Sequence, residues 1–470
     1  DRAATYYTAL LVNVGCHTDA HEQAHWFGDD IALKATKYQY EPFSMGDIGA
    51  TLRLLGSGGT PWHRLRVAVD FAWSGRHEVD AMIANHARLA RTLGEQLGLP
   101  DTVLEALAAS YERWDGKGFP GQLSGVEVPR AAQVTQLAEF VEVAHRTGGV
   151  DAAVDLAERR SGRQFDPDLV GLFTADVEKV FLGIDDVASW DAVLDDEPAL
   201  TLRLTDDECD SALAAIARFI DLKSPYLLGH SEAVAMLAAR AGADLGLSRV
   251  EVGSLHRAGL VSGFGRLGVS NAIWDKAGPL TAGEWERVRL QPHLTERMVR
   301  QSEALAPVGR IAVQHRERLD GSGYPRGLTG PALTRPGRVL AAADAYQSMR
   351  EPRPHRESMT AEAAAAQLRV EVRAGRMDGA AVDAVLRAAG HRVGRRHSGP
   401  AGLTAREVRV LQLVARGSSN RQIAERLVIS PQTAGNHIEH VYTKIGATNR
   451  AEASLFAMQH GLLPDDAEEG

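Results

Sequence analysis

The sequence predicts an all-α protein, and three observations carry that reading. Ala, Leu, Val and Arg recur at helical spacing through most of the 470 residues, as in AAVDAVLRAAG and SEAVAMLAARAGADLGL. Strand-like alternation is scarce. Ser, Thr and Asn caps stand ahead of the periodic runs near the C-terminal end. With 44% hydrophobic and 24% charged residues, the composition is that of a globular protein, and the length suits about three domains. No apolar run approaches the ~18 residues of a membrane span. The opening DRAATYYTALL has no basic segment feeding an apolar one, so no signal peptide is expected and the chain reads as cytoplasmic. It also lacks an initial Met, which reads as a fragment whose opening helix lies before residue 1. Two cysteines, Cys16 and Cys209, exclude a disulfide scaffold or a cysteine-rich zinc module and are expected to be small core residues.

Taken in order, residues 1–189 form a first helical unit and 190–208 an acidic linker around WDAVLDDEPALTLRLTDDE. Residues 209–389 form a second unit, and 390–402 (GHRVGRRHSGPAG) read as a basic linker. The two units are related by an internal repeat. Glu112, Asp115, Gly116, Gly118 and Pro120 recur without a gap as Glu317, Asp320, Gly321, Gly323 and Pro325. A looser echo pairs LLVNVGC at 10–16 with GLVSGFG at 259–265. The glycine loops 115–120 and 320–325 either shape a ligand pocket or simply supply positive φ, with Phe119 and Tyr324 plugging the core; the second reading is favoured.

Residues 403–464 are a small basic module, followed by an acidic tail at 465–470. The net charge of −9 argues against uniform coating by nucleic acid, yet residues 401–464 carry +3 and the arginines at 392, 395 and 396 raise that to +6. Four helix starts are legible: Thr404 with Glu407, Ser419 with Gln422, Ser430 before Pro431, and Asn449 with Glu452. Gly417 and Gly446 mark helix ends. The tight break between the second and third helices gives a helix-turn-helix arrangement. On the third helix, roughly 431–445, Ala434, Ile438, Val441 and Ile445 fall on one stripe and should be core. The other face presents Thr433, Asn436, His437, His440, Thr443 and Lys444, with Glu439 as its one acid. Short donors and acceptors of that kind suit base edges in a major groove, while Lys444 and flanking arginines suit phosphates. A helical bundle for protein docking is the bland alternative.

Over its whole length the segment from GLTAREV to MQHGLL resembles the LuxR-type (GerE-like) DNA-binding domain, through Thr404–Glu407, SNRQIAERL, ISPQT and HxxxVYTKIG. The resemblance implies a four-helix module whose third helix enters the major groove. It assigns DNA contacts to Arg421, Gln432, Thr433, Asn436, His437, His440, Thr443 and Lys444. It assigns dimerisation to the last helix through Ala451, Ser454, Leu455 and Met458. Gln432 stands where the family usually has Lys, and Ala434 where it has Val.

Residues 224–356 resemble the HD-GYP phosphohydrolases, through HSEAVAMLAARAGADLGLS, RLGVSNAIWDKAGPL, QHRERLDGSGYPRGLTG and AAADAYQSM. The resemblance implies an all-helical fold in which His and Asp side chains hold two or more metals, and a metal-bound hydroxide attacks a phosphodiester, usually in a cyclic dinucleotide. Carried over by position, His230, His293, His315 and Asp344 survive. The paired His-Asp is replaced by Ser262 and Gly263, the second His of the His-His-Glu by Arg316, and the following Lys by Arg266. In the first unit Val12 and Asn13 stand for His-Asp, Ser110 and Tyr111 for His-His, and Glu139 for the last Asp, with His86 the one match. No cofactor and no metal are therefore expected, a single ion on the four surviving ligands being the residual alternative.

The expectation is an all-α chain with two degenerate HD-GYP-like units followed by a four-helix LuxR-type module. It is read as a DNA-binding transcriptional regulator acting on double-stranded DNA, as a homodimer. Its body would be a sensory or dimerising scaffold, open to a small-molecule or nucleotide effector. The alternative is a metal-dependent phosphodiesterase with an appended DNA-binding domain.

Overall fold

A computed structural model describes residues 2–31, 62, 76–184, 189–198, 204–392 and 400–463. These residues are helices and connecting loops; their strand-like pairings are the isolated bridges Ser161–Phe165, Asp320–Thr329 and Arg353–Arg356. The chain divides into two compact units, Asp1–His391 and Arg392–Gly470. None of the described helices is long and apolar enough to cross a membrane.

In the larger unit, the first copy packs helices Arg2–Leu11, Arg76–Gln96, Asp101–Ala108 and the start of Arg130–Arg160 around Ala4, Ala90, Val103, Leu107 and Ala132. The long helix breaks at Gly149, whose φ of 77° no helix interior tolerates. The second copy packs His230–Asp244 against Arg249–Val261 and Arg335–Arg350, burying Val234, Ala238, Leu255, Leu260, Val339 and Leu340. These helices approach closely because Gly259 faces Ala235: a Cβ at 259 would lie 2.5 Å from the Ala235 Cα.

The two copies share a core. Leu93 from the first packs on Ala215 and Phe219 from helix Asp206–Asp221. Beside that seam Asp30, wholly buried, receives Lys223 Nζ at 3.2 Å and the Ser270 hydroxyl and Asn271 N–H at 2.8 Å each. A buried carboxylate and ammonium are tolerable only when paired and hydrogen-bonded in this way. His21 Nδ1 adds a contact of 2.8 Å to Asp275.

The segment 190–208 is more structured than its acidic composition suggests. Helix Ser189–Asp195 docks on the first helix, where the Tyr6 hydroxyl donates to the Val193 carbonyl, Tyr7 to Glu197, and Arg2 pairs with Asp196 at 3.1 Å. Helix Asp206–Asp221 then starts inside this segment, held by a capping box of Thr205 and Glu208. Residues 199–203 of the acidic segment and 393–399 of the basic one lie outside the described residues.

The repeated glycine loops have a common cause. Glu112 is buried and accepts the N–H groups of Gln122 at 2.8 Å and Gly121 at 3.2 Å; Glu317 likewise accepts those of Arg326 at 2.8 Å and Leu328 at 2.9 Å. Gly116 and Gly321 adopt positive φ, as expected. Gly118 and Gly323 do not; they are needed for room, since a Cβ at either would lie 2.4 Å from the backbone nitrogen of Arg113 or Arg318. Phe119 and Tyr324 are half-buried and do not plug the core.

In the smaller unit all four caps form as the sequence predicts. Thr404 and Ser419 make capping boxes with Glu407 and Gln422, Ser430 accepts the Thr433 N–H, and Asn449 accepts that of Glu452. Helices Ala405–Ala415, Asn420–Leu427, Pro431–Ile445 and Arg450–Gln459 enclose Leu403, Val410, Leu411, Val414, Ile423, Ala434, Ile438, Val441 and Ala453.

Candidate functional site

Burial fixes the orientation of helix Pro431–Ile445. Ala434, Ile438 and Val441 are buried and Ile445 is half-buried, which leaves Gln432, Thr433, Asn436, His440, Thr443 and Lys444 exposed; His437 is half-buried at the edge. Ser430 Oγ, besides capping the helix, lies 2.7 Å from the Thr433 hydroxyl. Arg421, from the preceding helix, is exposed and pairs with Glu425 at 3.2 Å. Lys444 is not a loose cation. Its Nζ lies 2.7 Å from Glu407 Oε2, the carboxylate that also accepts the Thr404 N–H. Burial would raise the Glu407 carboxyl, but Lys444 and Thr404 hold it below its ordinary value.

On the last helix Leu455 and Met458 are 50% and 58% exposed, Ala451 is exposed, and Ser454 is half-buried with its hydroxyl donating to the Arg450 carbonyl. Two large apolar side chains three residues apart thus share one solvent-facing strip.

The four positions at which the resemblance expects metal ligands in the second copy do not form one cluster. His230, His315 and Asp344 are buried, whereas His293 is exposed and lines an open cleft of about 690 Å³ with Glu286, Arg289, Glu296, Tyr324 and Arg326. Asp344 is paired with Arg316, whose Nη1 lies 3.2 Å from its Oδ2, and His230 Nε2 lies 3.4 Å from its Oδ1. Burial would raise the Asp344 carboxyl; Arg316 instead holds it well below the usual carboxylate range. His230 Nδ1 is occupied by Glu351 at 2.7 Å. His315 Nδ1–H donates to the Ala312 carbonyl at 2.7 Å, and burial depresses this imidazole to about 3, so it is neutral.

Arg266 completes the change. It is buried, its Nη1 lies 3.6 Å from Asp221 Oδ1, and it stands 2.9 Å from where a Cβ at Gly263 would be. The guanidinium therefore fills the space that a side chain at 263 would need. Among the described residues no group of three or more His, Cys, Asp or Glu side chains is arranged to hold a metal. Two guanidinium groups, Arg316 beside Asp344 and Arg266 beside Asp221, are the wrong chemistry for a dinuclear centre, and the residues present do not fit one.

In the first copy Val12 is buried, and the Asn13 amide donates to Glu139 Oε1 at 2.5 Å. Ser110 is buried and its hydroxyl donates to the Leu107 carbonyl. His86 is not open to a ligand: its Nε2 is bonded to Asp19 and its Nδ1 faces Cys16 Sγ at 3.8 Å. Cys16 is half-buried rather than core, as is Cys209. The sequence reading passed over Asp19, which precedes helix Ala20–Phe27 and looks there like an ordinary helix-start acid.

The fold and these two regions define a class: a body of two related helical copies followed by a four-helix helix-turn-helix module. Residues 76–169 and 214–381, more than half the chain, match the model of the HD domain, and the chain belongs to that family. Residues 401–457 match the bacterial regulatory proteins of the luxR family. The 3'3'-cGAMP-specific phosphodiesterase 3 of Vibrio cholerae is 28% identical over 75% of this chain and 78% of its own length. The cyclic di-GMP phosphodiesterase response regulator RpfG of Xanthomonas campestris is 32% identical over 37% of this chain and 47% of its own. A crystal structure of a cyclic GMP-AMP-specific phosphodiesterase of V. cholerae is similar in fold, with a TM-score of 0.52 and 24% identity over 83% of this chain and 96% of that one.

Proposed function

We propose that this chain is a DNA-binding transcriptional regulator that reads the major groove through helix Pro431–Ile445, and that its HD-type body is a scaffold without metal-dependent hydrolysis. The observation that carries the first part is the exposed face of Gln432, Thr433, Asn436, His440 and Thr443 on a helix anchored by Ala434, Ile438 and Val441. These side chains offer amide, hydroxyl and imidazole groups to base edges, and Arg421 and Lys444 flank them with charge. One such module makes too few contacts for tight, specific binding, so two copies act together. The strip of Ala451, Leu455 and Met458 suits that pairing.

The second part rests on Arg316 against Asp344 and on Arg266 in the space beside Gly263. The opposing reading takes its support from the likeness to cyclic-dinucleotide phosphodiesterases. Fluorescence anisotropy of the full chain on selected duplexes tests the DNA reading: affinity falls steeply with salt, and Asn436→Ala or His440→Ala shifts preference between sites. Affinity and preference unchanged by both variants would remove that face from the interface. Metal analysis, together with hydrolysis of cyclic dinucleotides in added manganese, tests the body. Two bound equivalents with turnover would restore the enzyme.

A further inference from the structure

The first copy carries a cluster that neither the DNA-binding reading nor the remnant site of the second copy uses. Cys16 lies in the turn Val14–His17, His86 on helix Arg76–Gln96, and Asp19 just before Ala20–Phe27. Cys16 Sγ lies 3.8 Å from His86 Nδ1, 3.7 Å from the Tyr111 hydroxyl and 3.6 Å from Asn13 Oδ1. On its other edge the ring is bonded through Nε2 to Asp19. We propose that Cys16 is an activated thiol, a modification site whose partner is a hydroperoxide.

Three features support it. The order thiol, imidazole, carboxylate is the arrangement that activates a nucleophile: Asp19 holds the Nε2–H tautomer, which leaves the Nδ1 lone pair toward the sulfur. The geometry is fixed by backbone packing, because Gly15 lets the turn press on the histidine helix; a Cβ there would lie 2.7 Å from the His86 carbonyl oxygen. A third group addresses the sulfur as well: the Tyr111 hydroxyl, 3.7 Å away, is placed to donate to a thiolate there. The opposing group is Glu139, whose carboxylate sits behind the Asn13 amide and is partly satisfied by it. Cys16 is half-buried, within reach of a small oxidant.

The step balances with that oxidant. Cys16 passes its proton to His86, and the thiolate attacks the terminal peroxide oxygen. A sulfur–oxygen bond forms, the O–O bond breaks, and the departing alkoxide takes the proton back from His86. The products are a cysteine sulfenic acid and an alcohol, or water from hydrogen peroxide; sulfur loses the two electrons that the peroxide gains.

The test uses the full chain, with Cys209 as internal reference, and does not depend on DNA binding. Under limiting iodoacetamide at pH 7, peptide mass spectrometry is expected to show Cys16 labelled about tenfold faster than Cys209, with little dependence on pH between 6 and 8. His86→Gln brings the rate down to that of Cys209, and Asp19→Asn lowers it in part. Equal labelling of the two cysteines, or a rate untouched by a His86→Gln variant of unchanged circular dichroism, overturns the proposal. If that variant does not fold, an unchanged rate in Asp19→Asn overturns it instead. Hydrogen peroxide followed by dimedone should leave an adduct on Cys16; no adduct overturns the choice of oxidant. A chelator should leave the rate alone, and faster labelling after chelation would mean that a metal rather than His86 governs the sulfur.

Discussion

The Arg316 guanidinium lies 3.2 Å from Oδ2 of Asp344, a carboxylate with no exposed surface, so the body carries a half-buried cation beside a wholly buried anion. Such a pair adds little net stability when whole but is costly to break, because the survivor is left charged and unsolvated. Arg316→Met is expected to destabilise the body by about 3–5 kcal/mol in urea denaturation, and Arg316→Met with Asp344→Leu to recover part of that loss. A fully additive double variant would show that the two groups are not coupled.

Lys444 and Glu407 tie the end of the recognition helix to the start of the module at 2.7 Å. Lys444→Met should therefore lower the melting temperature of the module as well as weaken DNA binding, by about 0.5–1 kcal/mol of stability for a half-exposed pair. Because the folded Glu407 carboxyl sits below its ordinary value of 4.5, this contribution is present above that pH and disappears as acid carries the solution through the lower, folded value. A melting difference between wild type and Lys444→Met that does not shrink toward low pH would contradict this account.

Val428 ends helix Asn420–Leu427 at φ 53°, a left-handed conformation that a β-branched side chain adopts only under strain, while remaining 90% exposed. Val428→Gly is expected to stabilise the module by about 1 kcal/mol, read as a higher melting temperature. If the substitution instead lowers DNA affinity without lowering stability, the valine is held there for contact.

Gly323 illustrates the opposite case. Its φ is ordinary, but a Cβ would come within 2.4 Å of the Glu317 Cα and the Arg318 nitrogen. Gly323→Ala should cost about 1–3 kcal/mol and detach the Glu317 carboxylate from the loop amides, seen as faster hydrogen exchange at Arg326 and Leu328. Gly321→Ala, strained by its own positive φ, is the control in which the loop bends without that steric clash.

What was legible in the sequence was local. Caps at Thr404, Ser419, Ser430 and Asn449 give the helix starts of the small module because each is a contact over three residues. The repeat was legible too, since Glu112 and Glu317 must both reach their loop amides. Pairings between distant segments were not. Nothing in the sequence separates Lys444 on a phosphate from Lys444 on Glu407, or tells that Asp19 meets His86 across 67 positions. Nor could composition reveal that the acidic stretch near 195 finds tyrosine hydroxyls to receive it.

The seam between the copies has a consequence for dissecting the protein. Lys223 belongs to the second half yet finds its counter-charge on Asp30, and Phe219 packs beside Leu93. A fragment beginning at residue 204 would strip that carboxylate from a buried ammonium and lay bare an apolar scar. The duplication has become indivisible: neither half is a spare part that can be excised and studied alone.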